Sequence, residues 1–354
     1  MAPPRLDPGK LGNKHGLPNS NHAKERAISL HDSLADAPFD ARAIPAAARE
    51  SVWTAPDGFP IRRIDWPAPH GAARGSLLFL PGRGDAYEKY LETLAYWAGQ
   101  GWHVTALDWR GQAGSGRLGK DAVTGHVPDF SLWTYDLGHF WAEWAAQTPG
   151  PHALAGHSMG GHLVLRAAAE KRVAPDALIL SAPMLGLSTG PFPVALVHLA
   201  ARFMAAIGDA RRPAWRWSEK PGELPANRID LLTHDERRYA DEVWWRDHRP
   251  ELVMGPGSWG WVERAYASIR LLDRPGMLES VVTPVLIVAT TADRLVDFAA
   301  TERAARRLPL CETLFFGPEA RHEILRETDA VRNRALDAID AFLDRVAPPP
   351  ESPQ

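Results

Sequence analysis

Cysteine is almost missing from this chain. Cys311 stands alone among 354 residues, so no internal disulfide can form and nothing implies an oxidising compartment. An excess of one charge is missing too: 40 Lys and Arg face 43 Asp and Glu, a formal net charge of −3. That balance argues against a nucleic-acid partner held through phosphate contacts. No stretch approaches about twenty uninterrupted apolar residues, so no membrane-spanning helix is expected. The opening MAPPRLDPGKLGNKHG has no apolar centre of the kind a signal peptide needs, and a cytoplasmic protein is the expectation. Two near-motifs fail on a missing residue. The stretch 114–121, GSGRLGKD, nearly matches a P-loop, but Asp121 stands where a Ser or Thr must hold Mg²⁺. His322-Glu323 begins like a zinc-binding helix, yet Arg326 occupies the place of the second histidine. Neither a metal nor a cofactor is expected.

What is present is an alternation of apolar runs and amphipathic stretches. The segment 51–69 reads as two strands around the turn Pro56-Asp57-Gly58. GSLLFL (75–80), WHVTALDW (102–109), ALILS (177–181), TPVLIVATTAD (283–293) and CETLFF (311–316) read as further strands. Between them lie helical stretches such as 86–101 and 129–147. This pattern specifies a mostly parallel sheet with helices on both faces, an α/β fold. Residues 1–45, rich in Pro, Asn and His, read as a partly disordered arm. From 184 to 279 the strand pattern stops, and six of the fourteen tryptophans gather there: Trp215, Trp217, Trp244, Trp245, Trp259 and Trp261. An insertion at that point forms a helical cap over the site, leaving 46–183 and 280–348 as the core.

The chemistry centres on Gly156-His157-Ser158-Met159-Gly160, between an apolar strand and a helical run. G-x-S-x-G at a strand-to-helix turn exposes the serine at the top of a sheet. Serine becomes a nucleophile when a base takes its proton. His322 is the candidate base and Asp293 the acid that orients it, each just past a strand's carboxyl end. The order Ser, Asp, His is that of α/β-hydrolases and not of the chymotrypsin or subtilisin folds. Asp297 is the second candidate acid. The oxyanion hole should combine the N–H of Met159 with one from the loop after GSLLFL, where Gly82 and Gly84 leave Arg83 best placed. In the insertion, 191–207 sets Phe192, Leu196, Leu199, Phe203 and Ile207 near one helical face. That face is either buried on the core or an apolar lip, guiding lipid chains or transiently touching a membrane surface. Phe192, Leu196 and Phe203 are the candidate substrate contacts.

Together, PGRGDAYEKY, DWRGQAGSG, GHSMGG, TADRLVD and ARHEILRE resemble the monoacylglycerol lipase and bacterial lysophospholipase group of α/β-hydrolases, over roughly 39–346. LTHDERRY followed by PELVMGPGSWGWVERA looks like the lysophospholipase branch. The resemblance implies Ser158, Asp293 and His322 as a triad, with Arg83 and Met159 as oxyanion donors. It implies a serine hydrolase cleaving esters of monoacyl lipids, either lysophospholipids or monoacylglycerols, and so a small lipid or ester as partner. A small-ester hydrolase or a proline-type aminopeptidase is the alternative; a non-catalytic binding protein would show a broken triad. Pro81 replaces the histidine that commonly precedes this glycine, and Ala113 interrupts a loop usually richer in glycine.

Overall fold

Eight strands join in one sheet: β1 (Arg49–Thr54), β2 (Pro60–Trp66), β3 (Gly75–Leu80), β4 (Trp102–Leu107), β5 (His152–His157), β6 (Ala177–Ser181), β7 (Val285–Thr290) and β8 (Cys311–Phe316). Their order across the sheet is β1-β2-β4-β3-β5-β6-β7-β8. The computed structural model describes residues 39–68, 73–188, 192–215 and 228–350, and all of these strands lie in the unit 41–354. The expected N-terminal arm falls almost wholly outside the described residues, as does Trp217.

The connections explain the strand directions. β1 and β2 are joined by the short turn read from the sequence, with Gly58 at φ 86°, and a short turn permits only antiparallel pairing. β2 also runs antiparallel to β4. From β4 onward every pair is parallel, because each crossover carries a helix. Every residue of β3, β6 and β7 is buried, as expected of strands covered on both faces.

The helices are α1 (Leu91–Gly99), α2 (Phe130–Gln147), α3 (Met159–Ala169), α4 (Val194–Ala206), α5 (Ile229–Leu232), α6 (Glu236–His248), α7 (Trp259–Leu272), α8 (Phe298–Arg307) and α9 (Asp329–Val346). α2 starts where Asp129 accepts a hydrogen bond from Ser131 N–H, satisfying one of the donors a helix start leaves open. Its Phe130, Trp133, Phe140 and Trp144 pack with Leu78, Leu154, Leu163 and Ile287 in the main core. Their large apolar area anchors one face of the sheet.

Between β6 and β7, only helices and isolated bridges occur among the described residues. α4 settles one of the two alternatives left open by the sequence. Phe192, Leu196, Leu199, Phe203 and Ile207 are exposed, and the helix buries His198 and Ala201 instead. The reason lies in α7. The His198 ring stacks on Tyr266 at 5.6 Å and sits 3.6 Å from Glu263, while small Ala201 lets the helices approach. The polar residue is the packed one, and the apolar face stays largely exposed.

Candidate active site

The elbow at Ser158 is built by close approach. Ser158 has φ 52°, outside the region a side chain ordinarily adopts. A Cβ on Gly156 would lie 2.6 Å from the backbone of Gly160, and one on Gly160 would lie 2.4 Å from the carbonyl oxygen of Leu80. Glycine is required at both places. The serine's own backbone is tied to the sheet: its N–H donates to Ser181 O at 2.9 Å, and its carbonyl accepts from Met184 N–H at 2.9 Å and His162 N–H at 3.0 Å.

The structure brings together the three residues singled out by the sequence. His322 Nε2 stands 2.9 Å from Ser158 Oγ, and its Nδ1 stands 2.7 Å from Asp293 Oδ2. The other oxygen of Asp293 accepts from the N–H groups of Leu295 at 2.8 Å and Val296 at 3.0 Å, which fixes the carboxylate plane. Burial pulls the His322 pKa down, but Asp293, with Glu323 and Asp85 beyond it, outweighs burial and holds it above the ordinary value. Burial pushes Asp293 up, and the His322 charge and hydrogen bonds overcome that, leaving it below the usual carboxylate range. With Nδ1–H toward Asp293, Nε2 can take the serine's proton. Asp297 does other work: it caps α8 by accepting from Ala299 N–H at 3.0 Å.

Two more histidines flank the elbow. The His157 ring lies 4.9 Å from that of His322; burial, then the neighbouring imidazole, push its pKa down to about 4. His162 points away, bonding Ser268 of α7 at 2.6 Å. Burial and the Arg166 charge push it down to about 3.

The loop after β3 passes beside the serine, since a Cβ on Gly82 would lie 3.2 Å from Ser158 Cβ. Gly82 N–H donates to Asp85 at 3.2 Å and Gly84 N–H to Gln112 at 2.8 Å, so these two groups shape the loop. Met159 begins α3, where the N–H has no intrahelical acceptor and the helix dipole favours negative charge. The Arg83 guanidinium turns toward the insertion, donating to Gly255 O at 2.7 Å and lying over the rings of Trp261 and Trp215 at 4.9 and 5.2 Å.

The insertion also grips the loop that carries His322. Glu323 N–H donates to Leu232 O at 2.8 Å, and Thr233 Oγ1 donates to Arg326 O at 2.8 Å. His234 N–H and Arg321 N–H both donate to Glu327, at 3.1 and 2.8 Å. Leu232, Thr233 and His234 belong to the LTHDERRY stretch, while the Arg321–Glu327 bond lies within the His322 loop. Phe192, Leu196 and Phe203 are placed differently: each is about three-fifths exposed. They form an outer surface of α4 and not the wall of an enclosed pocket. A cavity of about 200 Å³ lies beneath that helix, lined by Val194, Leu185, Leu187, Tyr266, Ile269 and Ala300 among others.

Sequence reading missed the polar cluster behind His322. Asp85, His157 and Glu323 offer ligand atoms within 4.8 Å of one another, but their neighbour is an amine: Lys89 Nζ donates to Asp85 at 2.5 Å and to Glu323 at 2.7 Å. The available signal was a lysine four residues after Asp85, on what becomes the inner side of the turn.

Comparison with known proteins identifies the family. Residues 71–329 match the family described as serine aminopeptidase, S33. Lysophospholipase L2 of Escherichia coli (strain K12) is 31% identical over 314 residues, covering 84% of this chain and 87% of that protein. Among solved structures, a soluble variant of monoglyceride lipase from Saccharomyces cerevisiae superposes with a TM-score of 0.67 at 20% identity, covering 87% of this chain and 99% of that one. The monoacylglycerol lipase of Paleococcus ferrophilus gives 0.62 at 20% identity, with 80% and 98% covered. The fold expected from the sequence is therefore the observed one, and the chain belongs to the serine aminopeptidase S33 family of α/β-hydrolases, among carboxylic ester hydrolases related to lysophospholipase L2.

Proposed function

We propose that this protein hydrolyses carboxylic esters of monoacyl lipids, lysophospholipids or monoacylglycerols, through an acyl-enzyme on Ser158. The observation that carries the reading is the continuous chain Ser158 Oγ, His322, Asp293, at 2.9 and 2.7 Å. His322 Nε2 takes the hydroxyl proton as Ser158 Oγ attacks the ester carbonyl carbon. The carbonyl oxygen becomes an oxyanion, received by the N–H groups of Met159 and Arg83. The C–O bond then breaks, and the proton on His322 leaves with the glycerol-side alcohol. Water, deprotonated by the same imidazole, attacks the acyl-enzyme and releases the fatty acid with Ser158 restored.

Support for a lipid substrate comes from the relatives' names and from the exposed apolar face of α4. Leaving a large apolar side chain in water forgoes ~1.5–3 kcal/mol of burial. Contact with aggregated lipid recovers it, and we read this face as the element that meets a lipid surface and passes acyl chains beneath the 184–279 cap. The aminopeptidase alternative needs a carboxylate for the substrate amine, and Glu242, the buried acid of α6, is already engaged by Lys89 and Arg326 at 3.2 and 3.0 Å.

The test is a panel of p-nitrophenyl esters of rising chain length, run beside lysophosphatidylcholine, monoolein and an aminoacyl-anilide. Efficiency should climb with chain length, since each buried methylene contributes ~0.8 kcal/mol. A flat profile with anilide turnover would favour the peptidase.

A further inference from the structure

Lys89 lies at the meeting point of three segments far apart in sequence. Its ammonium donates to Asp85, in the loop beside Ser158, at 2.5 Å and to Glu323, next to His322, at 2.7 Å. It stands 3.2 Å from Glu242 of α6, in the insertion. Its side chain is 5% exposed. Each partner has a second bond into the machinery it belongs to. Asp85 Oδ2 accepts from Gly82 N–H at 3.2 Å and from Tyr90 OH at 3.0 Å. Glu323 is also bonded by Arg326, which reaches Glu242 at 3.0 Å.

A buried ion network is weak support for stability, because desolvating each charge offsets most of the attraction gained. Its directional bonds are another matter. An ammonium offers three donors, and here three carboxylates from three chain segments surround it. Displacing any one segment breaks a buried ionic contact to the ammonium, a costly change even where Arg326 still reaches Glu323 and Glu242. The three segments are thereby held in one relative arrangement.

We propose that Lys89 is a positioning residue for the hydrolytic reaction: it holds the oxyanion loop and the His322 loop in register with each other and with α6. This rests on the serine-hydrolase reading of Ser158. α6 is accordingly a fixed clamp, while α4, which buries little, is the part of the insertion left to adapt to substrate.

Lys89→Met keeps the length of the side chain and removes the charge. With p-nitrophenyl acetate, too short to need the cap, kcat should fall by about tenfold to a hundredfold, the effect of a small misplacement of reacting groups. KM should change little. The charged or titratable groups facing His322 are Asp293, Glu323, Asp85 and the His157 ring. Without the ammonium the carboxylates among them favour the imidazolium more, so the acidic limb of kcat/KM should move to higher pH. A lowered melting temperature with wild-type kcat and an unmoved acidic limb would mean that Lys89 only stabilises, and would overturn the proposal. Should Lys89→Met fail to fold, Asp85→Asn and Glu242→Gln decide. Each keeps its shape and loses its charge, and with it the ionic contact to Lys89; each should lower kcat at constant KM, and wild-type kcat in both overturns the proposal. Fluorophosphonate labelling of the wild type at Ser158 separates the two claims. No labelling defeats the reading of the site, whereas labelling with a wild-type-like Lys89→Met defeats only the role of Lys89.

Discussion

The guanidinium of Arg83 donates a 2.7 Å hydrogen bond to the carbonyl oxygen of Gly255, fastening the proposed oxyanion loop to the insertion. Backbone and side chain of this residue therefore have separable roles. Arg83→Ala keeps the N–H and loses the fastening, so acetyl-ester turnover should change little while KM rises for long-chain lipids. Arg83→Pro deletes the donor, and losing one oxyanion hydrogen bond costs ~10²–10³ in turnover. Kinetics on short and long esters, at matched melting temperature, distinguish them. Loss of all ester hydrolysis in Arg83→Ala would show that the guanidinium itself is needed.

Asp293 and Asp297 are four residues apart and should respond in opposite ways. Asp293→Asn disturbs the orientation and tautomer of His322, a change that costs ~10⁴ in kcat in such triads. Asp297→Ala removes the cap of α8 and should cost about 1 kcal/mol of stability with turnover intact. Equal loss of activity in both would mean the wrong acid has been chosen.

Much of this site could be read from the sequence because its parts are local. Gly156 and Gly160 declare the tight turn, and Asp293 and His322 each follow an apolar strand closely. The face buried by α4 was not legible, because periodicity locates an apolar stripe without saying what lies opposite. Tyr266 and Glu263 of α7 drew His198 inward and left the stripe in solvent. Nor was the Lys89 cluster: its carboxylates come from positions 85, 242 and 323, which only the fold brings together.

The pH dependence follows from the His322–Asp293 pair. In the proposed mechanism the neutral imidazole is the active form, so kcat/KM should fall as pH drops through the raised pKa of His322, above the ordinary ~6.5. Asp293→Asn removes the largest raising influence, and the acidic limb should shift down. For stability the signs differ. His322, raised in the fold, contributes fully below its unfolded value and less as pH rises through its folded one. Asp293, lowered in the fold, contributes above its unfolded value and less as pH falls through its folded one. The melting-temperature gap between wild type and Asp293→Asn should be widest between about pH 3.9 and 6.5. An acidic limb unmoved by the substitution would remove Asp293 from this account.

Gly160→Ala and Gly99→Ala form a matched pair. The added methyl at 160 meets the Leu80 and Pro81 carbonyl oxygens at 2.4 and 2.5 Å, while at 99 nothing lies within 4 Å. The first should destabilise by ~1–3 kcal/mol or more, as overpacking does. The second should stabilise α1 by up to about 1 kcal/mol. Chemical denaturation of the two variants measures both.

Phe192→Ser with Phe203→Ser alters side chains that are about three-fifths exposed, so stability should fall far less than for a buried residue, and acetyl-ester turnover should hold. Cosedimentation with lipid vesicles and hydrolysis of vesicle-borne lysophospholipid should both drop. Undiminished vesicle binding would assign lipid contact to another surface.

Ser158 is held through both its N–H and its carbonyl oxygen by β6 and the turn after it, so the proposed nucleophile is woven into the same fabric as the sheet. Heating cannot loosen it by itself. Bond-breaking capacity should survive to the global melting transition and vanish with it in one step. On the proposed role of α4 in passing acyl chains, discrimination among acyl lengths should decay at lower temperature, because that helix buries only His198 and Ala201. The enzyme would then pass through an interval in which it is still fast but no longer selective, visible as a long-to-short ester ratio that collapses before the rate does.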